Sequence, residues 1–249
     1  MDRARTIMAV TLIAAAALSA APASAEYLAA DLSDRRITIT LGFAGAKVLL
    51  FGATDGEGDV AVVVRGPEQS VVVRRKDRLS GIWVNRASMR FEGVPAFYRV
   101  ASSRPVAELA SPAVLSRHEI GVDHLHLPAK IRAPEEVTRP FREALVRLRQ
   151  RDGLYGADAA PIAFLDDRLF RTTVDFPATV APGAYMVEVF LIRDGQVVIA
   201  QSRPLFISKE GVSAEIFDAA HRFPAFYGIV AVFCALVAGW LAAVMFRKV

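Results

Sequence analysis

The stretch Tyr185-Met-Val-Glu-Val-Phe-Leu-Ile-Arg-Asp-Gly-Gln-Val-Val-Ile-Ala200 decides the fold class. Two β-branched and aromatic runs flank Arg193-Asp194-Gly195-Gln196, and an Asp-Gly pair between such runs is a strong local signal for a β-hairpin. Working outward, Pro182-Gly183 turns into the first run, and Leu205-Phe206-Ile207 offers a further strand. Upstream, Ile162–Leu165 and Leu169–Val174 flank Asp166-Asp167, which reads as another hairpin tip.

The same texture fills the first half of the chain. Runs at Ile37–Leu41, Lys47–Phe51, Val60–Val64, Val71–Arg74, Ile82–Val84 and Phe97–Val100 are separated by turn signals about every ten residues, the pattern of an antiparallel sandwich or barrel. Trp83 is expected to be a core or sheet-face aromatic. One helical stretch interrupts the strands: Val137, Phe141, Leu145 and Leu148 fall on one stripe, with Arg142, Glu143, Arg147, Arg149 and Arg151 elsewhere. Either Thr138 caps it, or it starts at Pro134-Glu135-Glu136 with Pro140 inside.

The two ends have a different character. Arg3 and Arg5, an apolar run from Ile7 to Ala20, and an Ala23-Ser24-Ala25 site before Glu26 form the three-part pattern of a secretory signal. At the other end, Tyr227–Phe246 is an uncharged run followed by Arg247-Lys248. As a helix it would be about 30 Å long, the thickness of a bilayer's hydrocarbon core. The positive-inside rule puts Arg247 and Lys248 in the cytoplasm. The expected order is signal (1–25), N-terminal β domain (26–130), connecting helix (131–155), C-terminal immunoglobulin-like module (156–210), juxtamembrane helix (211–225), transmembrane helix (226–246) and cytoplasmic tail (247–249). The fold expected is therefore mainly β, two immunoglobulin-like sandwich modules bridged by a helix, plus one membrane helix.

Composition narrows the function. The formal charge of +4 takes one unit from the signal region and two from Arg247 and Lys248, so the exported body is near neutral despite a pI of 9.4. A nucleic-acid partner is not expected. The single cysteine, Cys234, lies inside the apolar segment, which leaves the body no disulfide and no thiol chemistry. Arginine exceeds lysine 25 to 5, a composition typical of GC-rich bacterial genomes, so the exported compartment reads as a periplasm and the anchor as an inner-membrane span. There is no Walker-type loop, no G-x-S-x-G elbow and no H-E-x-x-H helix, so neither an enzyme nor a cofactor is expected.

Two constellations remain. His118, His124 and His126 cluster beside Glu119 and Asp123, and an extended 122–127 segment would place His124 and His126 on one face as candidate metal ligands. Ala231, Ala235, Gly239 and Ala243 recur every fourth residue, a small-residue stripe of the kind that lets membrane helices pack closely.

Several segments recur together in one known family: Arg-Asp-Gly-Leu-Tyr (151–155), Phe-Leu-Asp-Asp-Arg-Leu-Phe-Arg (164–171), Phe-Pro-Ala-Thr-Val-Ala-Pro-Gly-Ala-Tyr (176–185) and Tyr-Gly-Ile-Val-Ala-Val (227–232). With the signal and the β-rich body, they make the mature chain resemble the alpha-proteobacterial transmembrane protein family Alph_Pro_TM. The family brings no catalytic residues. Its expected proximity to sulfite-exporter-type permeases implies a non-catalytic accessory of a transport or envelope complex, with a membrane-protein partner or a second copy of itself. The alternative expectation is a periplasmic metal- or small-ligand-binding protein using His124 and His126.

Overall fold

The computed structural model describes residues 27–40, 42–56, 58–79, 81–166, 168–209 and 224–246. The signal region with Ala23, Ala25 and Glu26, nearly all of the expected juxtamembrane helix, and the tail 247–249 lie outside the described residues.

Twelve strands dominate these residues. They are β1 (Leu28–Leu32), β2 (Arg36–Ile39), β3 (Gly45–Thr54), β4 (Asp59–Arg65), β5 (Glu68–Leu79), β6 (Ile82–Pro95), β7 (Tyr98–Ser102), β8 (Ala160–Pro161), β9 (Ala163–Phe164), β10 (Leu169–Pro177), β11 (Gly183–Arg193) and β12 (Gln196–Lys209). The helices are a single turn α1 (Val106–Leu109), α2 (Pro112–His118), α3 (Glu135–Arg151) and α4 (Pro224–Phe246).

Strands from both halves of the chain share both main sheets. One sheet runs β1-β3-β10-β9 and the other β2-β12-β11-β4-β7-β8, with β5-β6 as a separate hairpin. The expected division into two modules bridged by a helix is therefore corrected. β3 takes β10 as a neighbour from Leu169↔Ala53 to Pro177↔Gly45, and β4 lies between β7 and β11. Local turn signals reveal hairpins but not which distant strands will pair, and here the long-range pairs join the two halves. The Asp194-Gly195 turn forms as expected, with both residues at positive φ (49° and 71°). The separate runs at 197–200 and 205–207 merge into the single strand β12.

The two sheets pack face to face. Alternate residues of β10 (Phe170, Thr172, Val174, Phe176) and of β1 (Leu28, Ala30, Leu32) are buried. Phe176 stacks on Phe97 at 4.8 Å and meets Tyr185 of β11 at 5.8 Å, edge to face. Gly52 in β3 is needed for close approach: a Cβ there would lie 2.5 Å from both Ala29 O and the Phe170 ring. β12 ties the layers by side chain. Gln201 accepts from Ala30 N (3.1 Å) and donates to Leu28 O (2.9 Å), while Arg203 Nε donates to Ala30 O (2.9 Å).

β4 departs from alternation. Val60, Ala61, Val62, Val63 and Val64 are all essentially inaccessible, so both faces of this strand are covered. The facing sheet covers one side. The segment from α1 through Leu127 covers the other, contributing Leu109, Leu115, Ile120, Leu125 and Leu127 to the same core.

α3 starts at Glu135 behind Pro134, so Pro140 lies inside it. Glu135 and Glu136 in the first turn and Arg149 and Arg151 in the last complement the helix dipole. Its buried face is Thr138, Phe141 and Leu145, while Val137 and Leu148 are 50% and 42% exposed, a rotation from the expected stripe. The reason is that this face rests on β5, with the Arg75 guanidinium over the Phe141 ring.

α4 is a 23-residue helix without a charged side chain. Among the described residues, no helix is long and apolar enough to cross a membrane. Side chains of α4 are described only at 228, 229, 231–233, 235–242 and 245. Membrane crossing is thus an expectation from its full sequence, not a property of its described part.

Burial raises the phenol pKa of Tyr98 and of Tyr155 well above the ordinary value, and that of Tyr185 to about 12. The unfolded chain ionises these groups at about 10. Their stabilisation is accordingly complete below that pH and is lost as pH rises towards the folded values. Alkaline titration should show Tyr98, Tyr155 and Tyr185 giving phenolate absorbance only as far-UV circular dichroism collapses. Ionisation of these three near pH ~10 with the sheet signal intact would contradict the buried placement.

Candidate functional site

The half-buried polar centre of the body lies where β4, β7 and β11 meet the C-terminus of α2. Arg65 ends β4, Glu188 faces it from β11, and Glu119 follows α2. Arg65 Nη1 donates to Glu188, and Nη2 donates to the His118 carbonyl at 2.7 Å and lies 3.4 Å from Glu119 Oε2. The three side chains are 24%, 23% and 26% exposed. One cation between two carboxylates leaves this clamp with a net negative charge, which disfavours an anionic ligand against Arg65.

Glu119 stands in the left-handed region (φ 51°, ψ 46°). That conformation costs a non-glycine residue about 1 kcal/mol or more. Its surroundings use every polar atom the conformation presents. Tyr98 Oη donates to Glu119 O at 2.5 Å and accepts from Gly121 N at 3.0 Å, and Glu119 Oε1 accepts from His126 N at 3.0 Å. The Tyr98 ring meets Tyr155 edge to face at 5.8 Å, and Tyr155 Oη donates to Pro95 O at 2.8 Å. A loop from Glu119 to His126 is thereby pinned across the sheet's outer face.

The expected histidine cluster takes a different form. Residues 122–124 make a 3-10 turn after Gly121 (φ 103°), so the extended segment with His124 and His126 on one face is not formed. The His118 ring packs edge to face on Phe190 at 5.3 Å. His124 Nδ1, on a half-buried ring, lies 3.1 Å from the exposed Ser116 Oγ, and His126 contributes its backbone N–H to Glu119. Among the described residues, no group of three or more His, Cys, Asp or Glu side chains is placed to hold a metal ion.

Two clefts flank the pinned loop. One, about 270 Å³, is bordered by Arg65, Glu68, Glu119 and His126. The larger, about 560 Å³, opens between the end of β7 and the 122–124 turn, with Arg104, Asp123, His124 and Asp158 on its walls. Of the remaining expected positions, Asp166 follows β9 at the β9–β10 connection, with Asp167 outside the described residues. Ala231, Ala235 and Gly239 are exposed on α4, and Ala243 shares that helix.

Sequence reasoning passed over Arg65, Tyr98 and Glu188. A signal was present: Glu188 interrupts the apolar run Tyr185–Ile192, and a carboxylate on a strand that must be buried requires a partner. The partner, Arg65, is 123 positions away, beyond the reach of local pattern.

Fold and site together define a mainly β body of several sheets with an internal ion-pair clamp, on a chain that also carries an uncharged helix. The chain belongs to the family described as "putative transmembrane protein" (Alph_Pro_TM), which it matches over residues 27–248. No curated protein matches it.

Removing one member of a half-buried ion-pair network leaves the others unpaired. Arg65→Ala should therefore lower stability in urea unfolding by about 2 kcal/mol, discounted from the fully buried case for partial exposure. The double change Arg65→Met with Glu188→Leu should recover much of that loss. A double variant as weak as Arg65→Ala would show that packing, not charge, decides this position.

Proposed function

We propose that the protein is a single-pass, membrane-anchored accessory subunit whose body works by interaction and not by catalysis. The observation that carries the reading is its membership, over residues 27–248, in a family described as transmembrane, together with the uncharged 23-residue helix α4. A helix of that length spans about 35 Å, enough for a hydrocarbon core with some tilt. The basic-apolar-small pattern of residues 3–25 and the Arg247-Lys248 pair support an inner-membrane protein with its body in the periplasm and its C-terminus in the cytoplasm. The partner we assign is a membrane protein, a sulfite-exporter-type permease or another envelope component, or a second copy of the chain. The Tyr185 hydroxyl bond to Ala181 O, 2.5 Å, is the corner contact typical of immunoglobulin-like strands and supports that kinship for the β11–β12 region.

A second reading rests on the 560 Å³ cleft beside His124, which has room for a small polar ligand. A ligand screen by thermal shift should then find a compound whose effect disappears in His124→Ala. Retention of every shift in that variant would reject this site.

The small-residue stripe on α4 supplies the test of the first reading. Ala235 and Gly239 are exposed, and nothing lies within 4 Å of a Cβ built at Gly239. Replacing both with leucine should abolish a disulfide-free chemical cross-link between this chain and its membrane partner in native membranes. A cross-link of unchanged yield would reject the stripe as the contact.

A further inference from the structure

We propose that the β5–β6 hairpin is a lipid-contacting arm whose tip inserts into the interface of an anionic bilayer. The hairpin pairs from Glu68↔Pro95 to Leu79↔Ile82 and turns at Gly81 (φ 88°). Its root is fixed to the body: Val73, Phe91 and Val94 are buried, and α3 rests on β5. Beyond Val73 the arm continues about 20 Å to its turn.

The tip has the wrong composition for a solvated hairpin. Trp83 is 65% exposed and Ile82 69%, and every side chain from Ile82 to Arg86 is exposed. Trp83, expected to be a core or sheet-face aromatic, is not in the core and stands opposite Arg78 at the far end of the arm. Adjacent residues on a strand point to opposite faces, so Ile82 and Trp83 make both faces of the tip apolar. A groove on a protein covers one face of a ribbon, whereas a bilayer interface surrounds both. Tryptophan with aliphatic neighbours is also what headgroup-level anchoring favours.

Charge points the same way. Arg74, Arg75, Lys76, Arg78 and Arg86 are exposed around the arm's outer half against one carboxylate, Asp77, which Arg86 engages at 2.9 Å across the strands. Arg78 and Arg86 lie within about 13 Å of the turn, where their heads would reach phosphates while the tip sits among the upper acyl carbons. An acidic protein surface would satisfy the cations but leave Ile82 and Trp83 in water. An anionic phospholipid surface satisfies both.

The test uses the full chain reconstituted in vesicles of phosphatidylcholine alone or mixed with phosphatidylglycerol. Its two tryptophans, Trp83 on the arm and Trp240 on α4, are read separately in Trp240→Phe and Trp83→Phe variants. Trp240 reports insertion of α4, so failure of that reading is distinguished from failure of the arm. With phosphatidylglycerol present, Trp83 emission should shift to the blue and be quenched by bromine-labelled acyl chains. Arg78→Gln with Arg86→Gln should lower the embedded-to-free ratio roughly twenty-five-fold, at about five-fold per cation, with circular dichroism unchanged. Water-like, unquenched Trp83 emission in anionic vesicles would overturn the proposal. So would a Trp83 shift that follows protein density and ignores lipid charge, which would assign the tip to a second copy of the chain.

Discussion

The structure depends on a strand with no exposed face. β4 runs through the middle of the six-stranded sheet, and five consecutive residues from Val60 to Val64 are withdrawn from water. Fully burying a valine contributes roughly 1.5–3 kcal/mol relative to leaving it exposed, but only if something covers it. The first sheet covers one side, and that requires β3 and β10 to pair across the chain's two halves. The other side is covered by the helical segment between β7 and α3. Both long-range features of the fold follow from this one strand's need for two covers.

The polar clamp is the counterpart of that burial. Where β4 ends, the backbone must turn at Gly66-Pro67 and the covering segment must stop. Arg65 holds α2's C-terminus through the His118 carbonyl, and Tyr98 holds the next turn. The left-handed Glu119 is tolerable because its carbonyl and carboxylate are both bonded. These contacts make the loop a fixed lid on the sheet instead of a mobile one. Its clefts are shaped by the same bonds, which links the stability of the body to whatever surface it presents there.

Much of the β architecture was legible in the sequence because period-two runs and Asp-Gly turns act locally. β3, β4, β10, β11 and the Asp194-Gly195 turn lie where those patterns put them. What local pattern could not supply was partnership. Division into two modules looked natural because α3 separates two strand-rich regions, yet a sheet edge pairs with whichever strand covers its core. The histidine geometry differs for a related reason: residues 122–124 make a 3-10 turn after Gly121, so the alternation that would align the rings of an extended segment does not apply.

Trp83 marks the limit of composition as a guide to burial. Ile82-Trp83-Val84 has all the local properties of a core strand, and its strand does form. Burial, however, is a property of the surroundings. α3 reaches only the root of the arm, through Phe141 and Arg75, and β5 and β6 outrun it. A long two-stranded ribbon is marginally stable by itself in water, so apolar residues at its free end gain nothing from folding. At the tip, with Arg78 and Arg86 close by, such residues gain only from a surface outside the body. For a chain whose proposed anchor holds it beside a bilayer, the nearest surface able to supply that gain is the membrane itself.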